Sequence, residues 1–297
     1  MNIRIMFLAC LGAIFTMVAA SAAETPICGG AVSDWSVLQA PTDESSVDAG
    51  LWHYRVQQSP YVWRVFSDAG IIRASNGQCP QDASAMPDFK TGVDRFQFAP
   101  AYDVAIRVGD GWLVAFDRGE FGASVYWFNR DGSRGTPISG HHVQQFMILP
   151  DGVIAIEGLS HLLTTTASLV RFDPPGNGAG WRWRTVRTFD AVPRAFVRRG
   201  DGDFVVLFDG GIARMSPAGN LREVLLPFRQ ARFVADSKPT SMVLSADESK
   251  AYVGTRQFVI EFDLEAQQVR YLVPDPSYLT AVSSEIEDTI RKLYEEP

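Results

Sequence analysis

The chain has 297 residues, and its 27 Lys and Arg stand against 34 Asp and Glu for a net charge of −7. That balance excludes the global positive field of a nucleic-acid-binding protein. Arginine outnumbers lysine 23 to 4, a bias that a GC-rich genome produces without any help from function, so arginine abundance alone marks no site.

The first predicted element is a signal peptide over residues 1–23. Asn2, Ile3 and Arg4 form a short positive start, Ile5 to Val18 an apolar core, and Ser21-Ala22-Ala23 a small-residue cleavage site. Ile5 to Ala23 is nearly long enough to span a bilayer, but its Ala-rich end favours cleavage over anchoring, and Phe7-Leu8-Ala9-Cys10 is a poor lipobox. The mature protein is expected to begin near Glu24, with a charge of −8 once Arg4 is gone. It is expected to be periplasmic or secreted, with no membrane span after cleavage. Cys10 leaves with the signal, so Cys28 and Cys79 remain as a pair in an oxidising compartment. A disulfide between them would pin residues 24–50, a polar, turn-rich arm around Pro41-Thr42-Asp43-Glu44-Ser45-Ser46; two unrelated buried thiols are the alternative.

From residue 51 to 275 an alternating apolar run meets a short Asp-containing turn and leaves it into a second apolar run, five times over. The turns are built on Asp68, Asp110, Asp151, Asp201 and Asp247, at intervals of 42, 41, 50 and 46 residues. Gly109-Asp110-Gly111, Pro150-Asp151-Gly152 and Gly200-Asp201-Gly202 suit tight hairpins because Asp and Gly tolerate positive φ. A third strand follows in most units: Ser124 to Phe128, Leu169 to Phe172, Ile212 to Met215 and Phe258 to Phe262. Outer strands are read at Arg222 to Leu226 and Val269 to Val273. Four antiparallel strands per unit at this spacing describe a propeller blade, so the fold class is all-β, a five-bladed β-propeller. The first unit is the weakest, since residues 76–100 hold little strand signal before Phe96 to Phe98; strands there are candidates to pair with the C-terminal unit and close the ring.

The repeated turn and aromatic-plus-Asp ends such as Tyr126-Trp127-Phe128-Asn129-Arg130-Asp131-Gly132 resemble secreted β-propellers of the broad group that includes the NHL, YVTN and gluconolactonase-like proteins. The resemblance covers roughly residues 51–275 and is architectural. No WD dipeptide recurs and no gluconolactonase-type metal constellation can be placed, so the resemblance implies a fold and no catalytic residues.

Residues 276–297 form a C-terminal helix and tail. Ser284 with Glu287 reads as a capping box, and Ile286, Ile290, Leu293 and Tyr294 share one face, expected to pack on the propeller.

Chemistry-bearing residues are few. His141, His142 and His161 lie within 21 residues, with Glu157 four positions before His161 and on the same side of a strand. His142, Glu157 and His161 are therefore the candidate metal set, suited to zinc or another transition metal, with zinc or calcium the candidate ions. Against it, Gly158 is expected to interrupt the strand, and adjacent histidines in an extended segment face opposite ways. Gly158-Leu159-Ser160-His161-Leu162 lacks the final Gly and following helix of a hydrolase elbow. Gly176-Asn177-Gly178-Ala179-Gly180 runs into a strand, so it offers no helix N-terminus to a phosphate. Asp117, Glu120, Asp131, Asp201 and Asp203 lack calcium-loop grammar and read as turn caps. No catalytic residue and no cofactor is predicted.

The stretch from Arg171 to Arg199 is the most unusual. It holds seven arginines, Arg171, Arg182, Arg184, Arg187, Arg194, Arg198 and Arg199, against Asp173 and Asp190. Trp181 and Trp183 alternate with Arg182 and Arg184, giving a strand with an aromatic and a cationic face. Trp181, Arg182, Trp183, Arg184 and Arg187 are the candidate binding residues, since Trp and Arg dominate interface energetics, although plain blade packing also accounts for the Trp face. The reading favours an exported, non-enzymatic propeller that binds a protein or an anionic envelope polymer: an inhibitor, an immunity-type protein or a scaffold. The alternative is a propeller hydrolase or lyase using Glu120, His142, Glu157 and His161 in the central mouth.

Overall fold

The computed structural model describes residues 28–76, 87–89, 104–161, 164–176, 180–209, 211–227 and 237–295. Strand β1 (Cys28–Ala31), strand β2 (Ser36–Leu38) and helix α1 (Val47–Gln58) precede the first hairpin, β3 (Trp63–Asp68) with β4 (Ile71–Asn76). The second sheet is β5 (Val104–Val108), β6 (Gly111–Asp117), β7 (Ala123–Phe128) and β8 (Gly135–Ser139). The third is β9 (Val143–Leu149), β10 (Gly152–His161), β11 (Thr164–Asp173) and β12 (Arg182–Thr188). The fourth holds β13 (Pro193–Arg198), β14 (Phe204–Phe208), β15 (Gly211–Met215) and β16 (Leu221–Pro227). The fifth holds β17 (Ser241–Leu244), β18 (Lys250–Gly254), β19 (Val259–Asp263) and β20 (Gln268–Val273), and helix α2 (Ser284–Glu295) follows. In the second, third and fourth sheets the strands pair antiparallel in sequence order, whereas the first runs β1-β4-β3 and the fifth adds β2 after β20; β5 neighbours β9, β9 neighbours β13, β13 neighbours β17 and β17 neighbours β3. This is a five-bladed β-propeller, as expected.

All five Asp turns join the innermost strand of a blade to its second strand, and so lie on one face of the ring. The reason for the long apolar runs is that inner strands are buried on both sides. In β14, Phe204, Val206 and Phe208 enter the seam with the third blade, while Val205 and Leu207 enter the seam with the fifth. In β10, Val153 and Ala155 face the second blade, and Ile154 and Ile156 face the fourth. Each seam thus has its own apolar cluster, and a blade is held by its neighbours.

The N-terminal arm departs from expectation. It is part of the fold: β1 adds to β4 as the third strand of the first blade, and β2 adds to β20 with Ser36 opposite Val273. Residues 77–86 and 90–103, where further strands of the first unit were expected, lie outside the described residues. Helix α1, unforeseen, spans the expected boundary at residue 50. Ser46 caps it by accepting the Ala49 N–H at 3.2 Å, and Ala49, Trp52, His53 and Val56 are buried at helical spacing. Trp52 stacks on Phe258 at 4.6 Å and meets Tyr271 edge-on at 5.0 Å, so the helix seals the fifth blade.

Helix α2 begins one residue before the expected cap would place it. Its N-cap is Ser283, whose carbonyl takes the Glu287 N–H at 2.9 Å, while the Glu287 carboxylate pairs with Arg291 at 3.1 Å; the Ser284–Glu287 capping box is therefore absent. Its apolar stripe lies on α1, with Ile290 and Tyr294 against Gly50.

Candidate functional site

Two places concentrate functional side chains, one at the junction of the second and third blades and one on the outer strand of the third. The first lies where β6 ends and β9 begins. Asp117 closes β6, and its Oδ1 is 2.9 Å from Nδ1 of His142 in the link between the second and third blades. Gln144 Nε2 donates to the Gly158 carbonyl at 2.9 Å and reaches the other Asp117 oxygen at 3.4 Å. Bound through Nδ1, the imidazole of His142 is oriented, which leaves Nε2 as its second functional atom. Glu120 is exposed in the short 3-10 turn Gly119–Phe121 after Asp117.

Glu157 is buried in β10, and its carboxylate accepts a short hydrogen bond from the Ser168 hydroxyl of β11. Gly158 does not interrupt β10, which runs on to His161; the missing side chain lets the fourth blade approach, since a Cβ there would sit 2.2 Å from Val192 Cγ1. His161 is paired with Thr164 at the strand end, and its side chain lies outside the described residues. The structure therefore puts His142 on Asp117 and Glu157 on Ser168. Among the described residues, no three His, Cys, Asp or Glu side chains gather into a group that could hold a metal ion. Asp117 caps its turn as expected, accepting the Gly119 N–H at 2.8 Å; its pairing with His142, which crosses from one blade to the next, carries no sequence signal.

His141 turns the opposite way from His142. Its ring meets Trp183 edge-on at 4.4 Å and Phe172 at 6.3 Å. Burial pushes its imidazole below the usual histidine range, with the Glu157 carboxylate opposing and His142 adding to the shift.

The second place is β12, the outer strand of the third blade. Six of its seven residues are exposed, Arg182, Trp183, Arg184 and Arg187 among them; Val186 turns into the seam with the fourth blade. Trp181 packs on the cluster between the second and third blades, and its indole N–H points to Asp110 at 3.4 Å. Trp181 is thus a packing residue, whereas Trp183 keeps 45% of its surface exposed despite its contact with His141.

The expected charge excess around β12 is smaller than the linear count. Arg171 is spent on Asp151 at 2.9 Å and Asp173 at 2.6 Å, Arg194 on Asp209 through two bonds of 2.6 and 2.9 Å, and Arg199 on Glu248 at 2.9 Å. What remains outward is Arg182, Arg184, Arg187 and Arg198, and among the described residues Asp173 approaches Arg184 at 3.9 Å. A second Arg–carboxylate network, Asp203 with Arg214 at 2.7 Å and Arg222 at 3.1 Å, braces the fourth Asp turn.

No family model matches the chain, and no curated protein matches it. Among solved structures it is similar to a gluconolactonase from Xanthomonas campestris, at 13% identity and a TM-score of 0.37, over 57% of this chain and 56% of that one. It is similar to a putative 6-phosphogluconolactonase from Bacteroides uniformis at 16% identity and a TM-score of 0.36, over 60% and 57%. The hemopexin fold protein CP4 from cow pea aligns at 11% identity and a TM-score of 0.26, over 59% of this chain and 92% of that one. The chain thus spans little more than half the length of the two lactonase structures. Likenesses this distant carry no argument about activity, and the propeller architecture rests on the sheets themselves.

Proposed function

We propose that this is an exported, non-enzymatic β-propeller that binds a macromolecular partner, a protein or an anionic envelope polymer, through the outer edge of its third blade. The observation that carries the reading is β12: a seven-residue edge strand that presents Arg182, Arg184 and Arg187 with an exposed Trp183 on an otherwise acidic protein. Exposed arginines beside an indole suit an acidic partner, because guanidinium binds carboxylate bidentately and Trp adds contact area at low entropic cost. Export follows from residues 1–23, and the reading includes a Cys28–Cys79 disulfide. Among the described residues no helix is long and apolar enough to cross a membrane.

The test is capture from envelope extract by the mature protein and by an Arg182→Glu, Arg184→Glu variant. Loss of capture with an unchanged thermal midpoint supports the reading; equal capture by the variant removes β12 from it.

A second reading, a hydrolase or lyase, is favoured by the oriented Asp117–His142 pair between the second and third blades, with Glu157 in the third. Stoichiometric zinc or calcium in the purified protein, lost on His142→Ala or His161→Ala, would decide for it and against the non-enzymatic assignment.

A further inference from the structure

We infer that the partner supplies an extended acidic segment that pairs with β12 as an added fifth strand of the third blade. The inference rests on the reading of β12 as the binding surface and names how that surface is used.

Among the described residues the five blades end in five different outer edges, and four are poorly suited to accept a strand. The edge strand of the first blade, β1, is four residues long and contains Gly29 and Gly30; β2, the edge of the fifth, has three residues. In the second blade β8 carries Pro137, and in the fourth β16 ends in Pro227. Proline has no N–H to give to a ladder, and glycine weakens one. Strand β12 has seven residues and neither Gly nor Pro. One of its edges is consumed by β11, from Asp173 opposite Arg182 to Val170 opposite Thr185 and, past a bulge at Val186, with Leu169 opposite Arg187 and Ser168 opposite Thr188. No strand among the described residues covers the other. An open edge of this kind presents alternate N–H and C=O groups to an incoming chain.

The side chains state which chain. Charged residues on an edge normally deter pairing between copies, and three arginines repel a second β12. The same three attract a strand that places carboxylates opposite them, where cross-strand neighbours stand about 4.5–5.5 Å apart. Arg182 and Arg184 lie on the side of the sheet that carries Val186, and Trp183 on the side that carries His141. The complementary segment therefore alternates, with acidic residues on the first side and an apolar or aromatic residue against Trp183. Beyond Arg187 the edge runs into a groove of about 390 Å³ between the third and fourth blades, floored by Phe189, Phe208 and Ile212 and rimmed by Leu221 and Val224. Leu221 and Val224 are 55% and 62% exposed, and an apolar residue at the end of the acidic segment would cover them.

The test uses a fluorescein-labelled decapeptide in which Glu alternates with Val and Thr and which ends in Leu, read by anisotropy against the mature protein. Two isomers N-methylated at alternate backbone positions, a Lys-for-Glu peptide and polygalacturonate are run beside it. Strand addition predicts that one N-methyl isomer loses tenfold or more and the other keeps the parent affinity. It also predicts that the Lys peptide does not bind, and that raising salt from about 50 to 200 mM weakens the parent. Equal behaviour of the two isomers, or preference for polygalacturonate over the peptide, overturns strand addition. If Arg182→Glu with Arg184→Glu still abolishes that binding, the β12 surface survives as a purely electrostatic one; if no acidic probe depends on these arginines, both readings fall.

Discussion

The indole N–H of Trp63 donates to the Gln257 carbonyl at 3.1 Å, joining the first blade to the fifth across 194 positions of sequence. Around this bond the Trp63 carbonyl accepts from Thr240 Oγ1 at 2.5 Å, the Trp63 N–H donates to the Thr255 carbonyl at 2.9 Å, and Ser241 Oγ takes the Val65 N–H at 2.8 Å. Main-chain and side-chain bonds together close the ring here, with Trp63 fully buried at their centre.

Trp63→Ala is accordingly expected to destabilise the protein by about 3–5 kcal/mol, the usual cost of emptying a large aromatic site. Trp63→Phe keeps most of the volume but orphans the Gln257 carbonyl, for about 1–3 kcal/mol. Urea unfolding gives both values. A Phe variant as stable as the parent would show that the hydrogen bond contributes nothing to closure.

Gly50 sets the distance between the two helices. A Cβ there would lie 2.6 Å from Ile290 Cγ2 and 2.7 Å from Tyr294 Cε2. Gly50→Ala, which stabilises an open helix by roughly 0.5–1 kcal/mol, is here expected to cost about 1–3 kcal/mol through overpacking. In an Ile290→Ala, Tyr294→Ala background the sign should reverse, and thermal unfolding of the four proteins completes the cycle. No reversal would place the clash elsewhere.

What was legible in the sequence was local. Each Asp turn lies between two apolar runs that follow directly, so the hairpins of β3–β4 through β17–β18 and the ring they build could be read without tertiary knowledge. Helix α1 was hidden because Ala49, Trp52, His53 and Val56 fall at helical spacing inside a segment dominated by Asp43, Glu44, Ser45, Ser46 and Asp48. Strands β1 and β2 were hidden because they are short and their partners, β4 and β20, lie more than 40 and more than 200 positions away. The arginine count misled for a related reason: Arg194 and Arg199 find Asp209 and Glu248 beyond the stretch over which the charge was summed.

Asp203 is buried and holds both Arg214 and Arg222, while its neighbour Asp201 holds Arg214 at 2.8 Å and Arg199 at 3.4 Å. Asp203→Ala leaves the guanidinium groups partly exposed to water, so the loss is that of charge-assisted hydrogen bonds, about 1.5–3 kcal/mol, and not that of a fully buried ion. Arg222→Ala, at the more exposed end, should cost under about 1 kcal/mol. Denaturant midpoints of the two variants rank the partners; equal losses would contradict the burial order.

Cys28 stands opposite Ser75 in the β1–β4 ladder, and position 79 follows the end of β4 at Asn76 by three residues. A Cys28–Cys79 bond would close a loop of about 50 residues and contribute roughly 4 kcal/mol in the chain-entropy model. Intact mass of the exported protein before and after reduction should differ by about two hydrogens, and Cys28→Ser should lower the thermal midpoint as much as reduction does. Two free thiols in the oxidised sample would end the reading.

The fifth Asp turn gives the pH dependence. The Ser245 hydroxyl donates to Asp247 at 2.6 Å, the Ser249 N–H at 3.1 Å and the Ser249 hydroxyl at 2.9 Å, and together they draw the Asp247 carboxyl from 3.8 down to about 2. A carboxyl lowered in the folded state binds its proton more readily when unfolded, so it stabilises fully above the unfolded value and loses that contribution as pH falls through the folded one. The window is therefore from about pH 4 to about pH 2. The thermal midpoint of the wild type should exceed that of Asp247→Ala at pH 5, and the gap should narrow across this window. Asp247→Asn keeps one acceptor but no charge, and should fall between them at pH 5 with a flat response below it. A gap that stays constant from pH 5 to pH 2 would mean that the turn is held by backbone geometry alone, with the carboxylate a bystander.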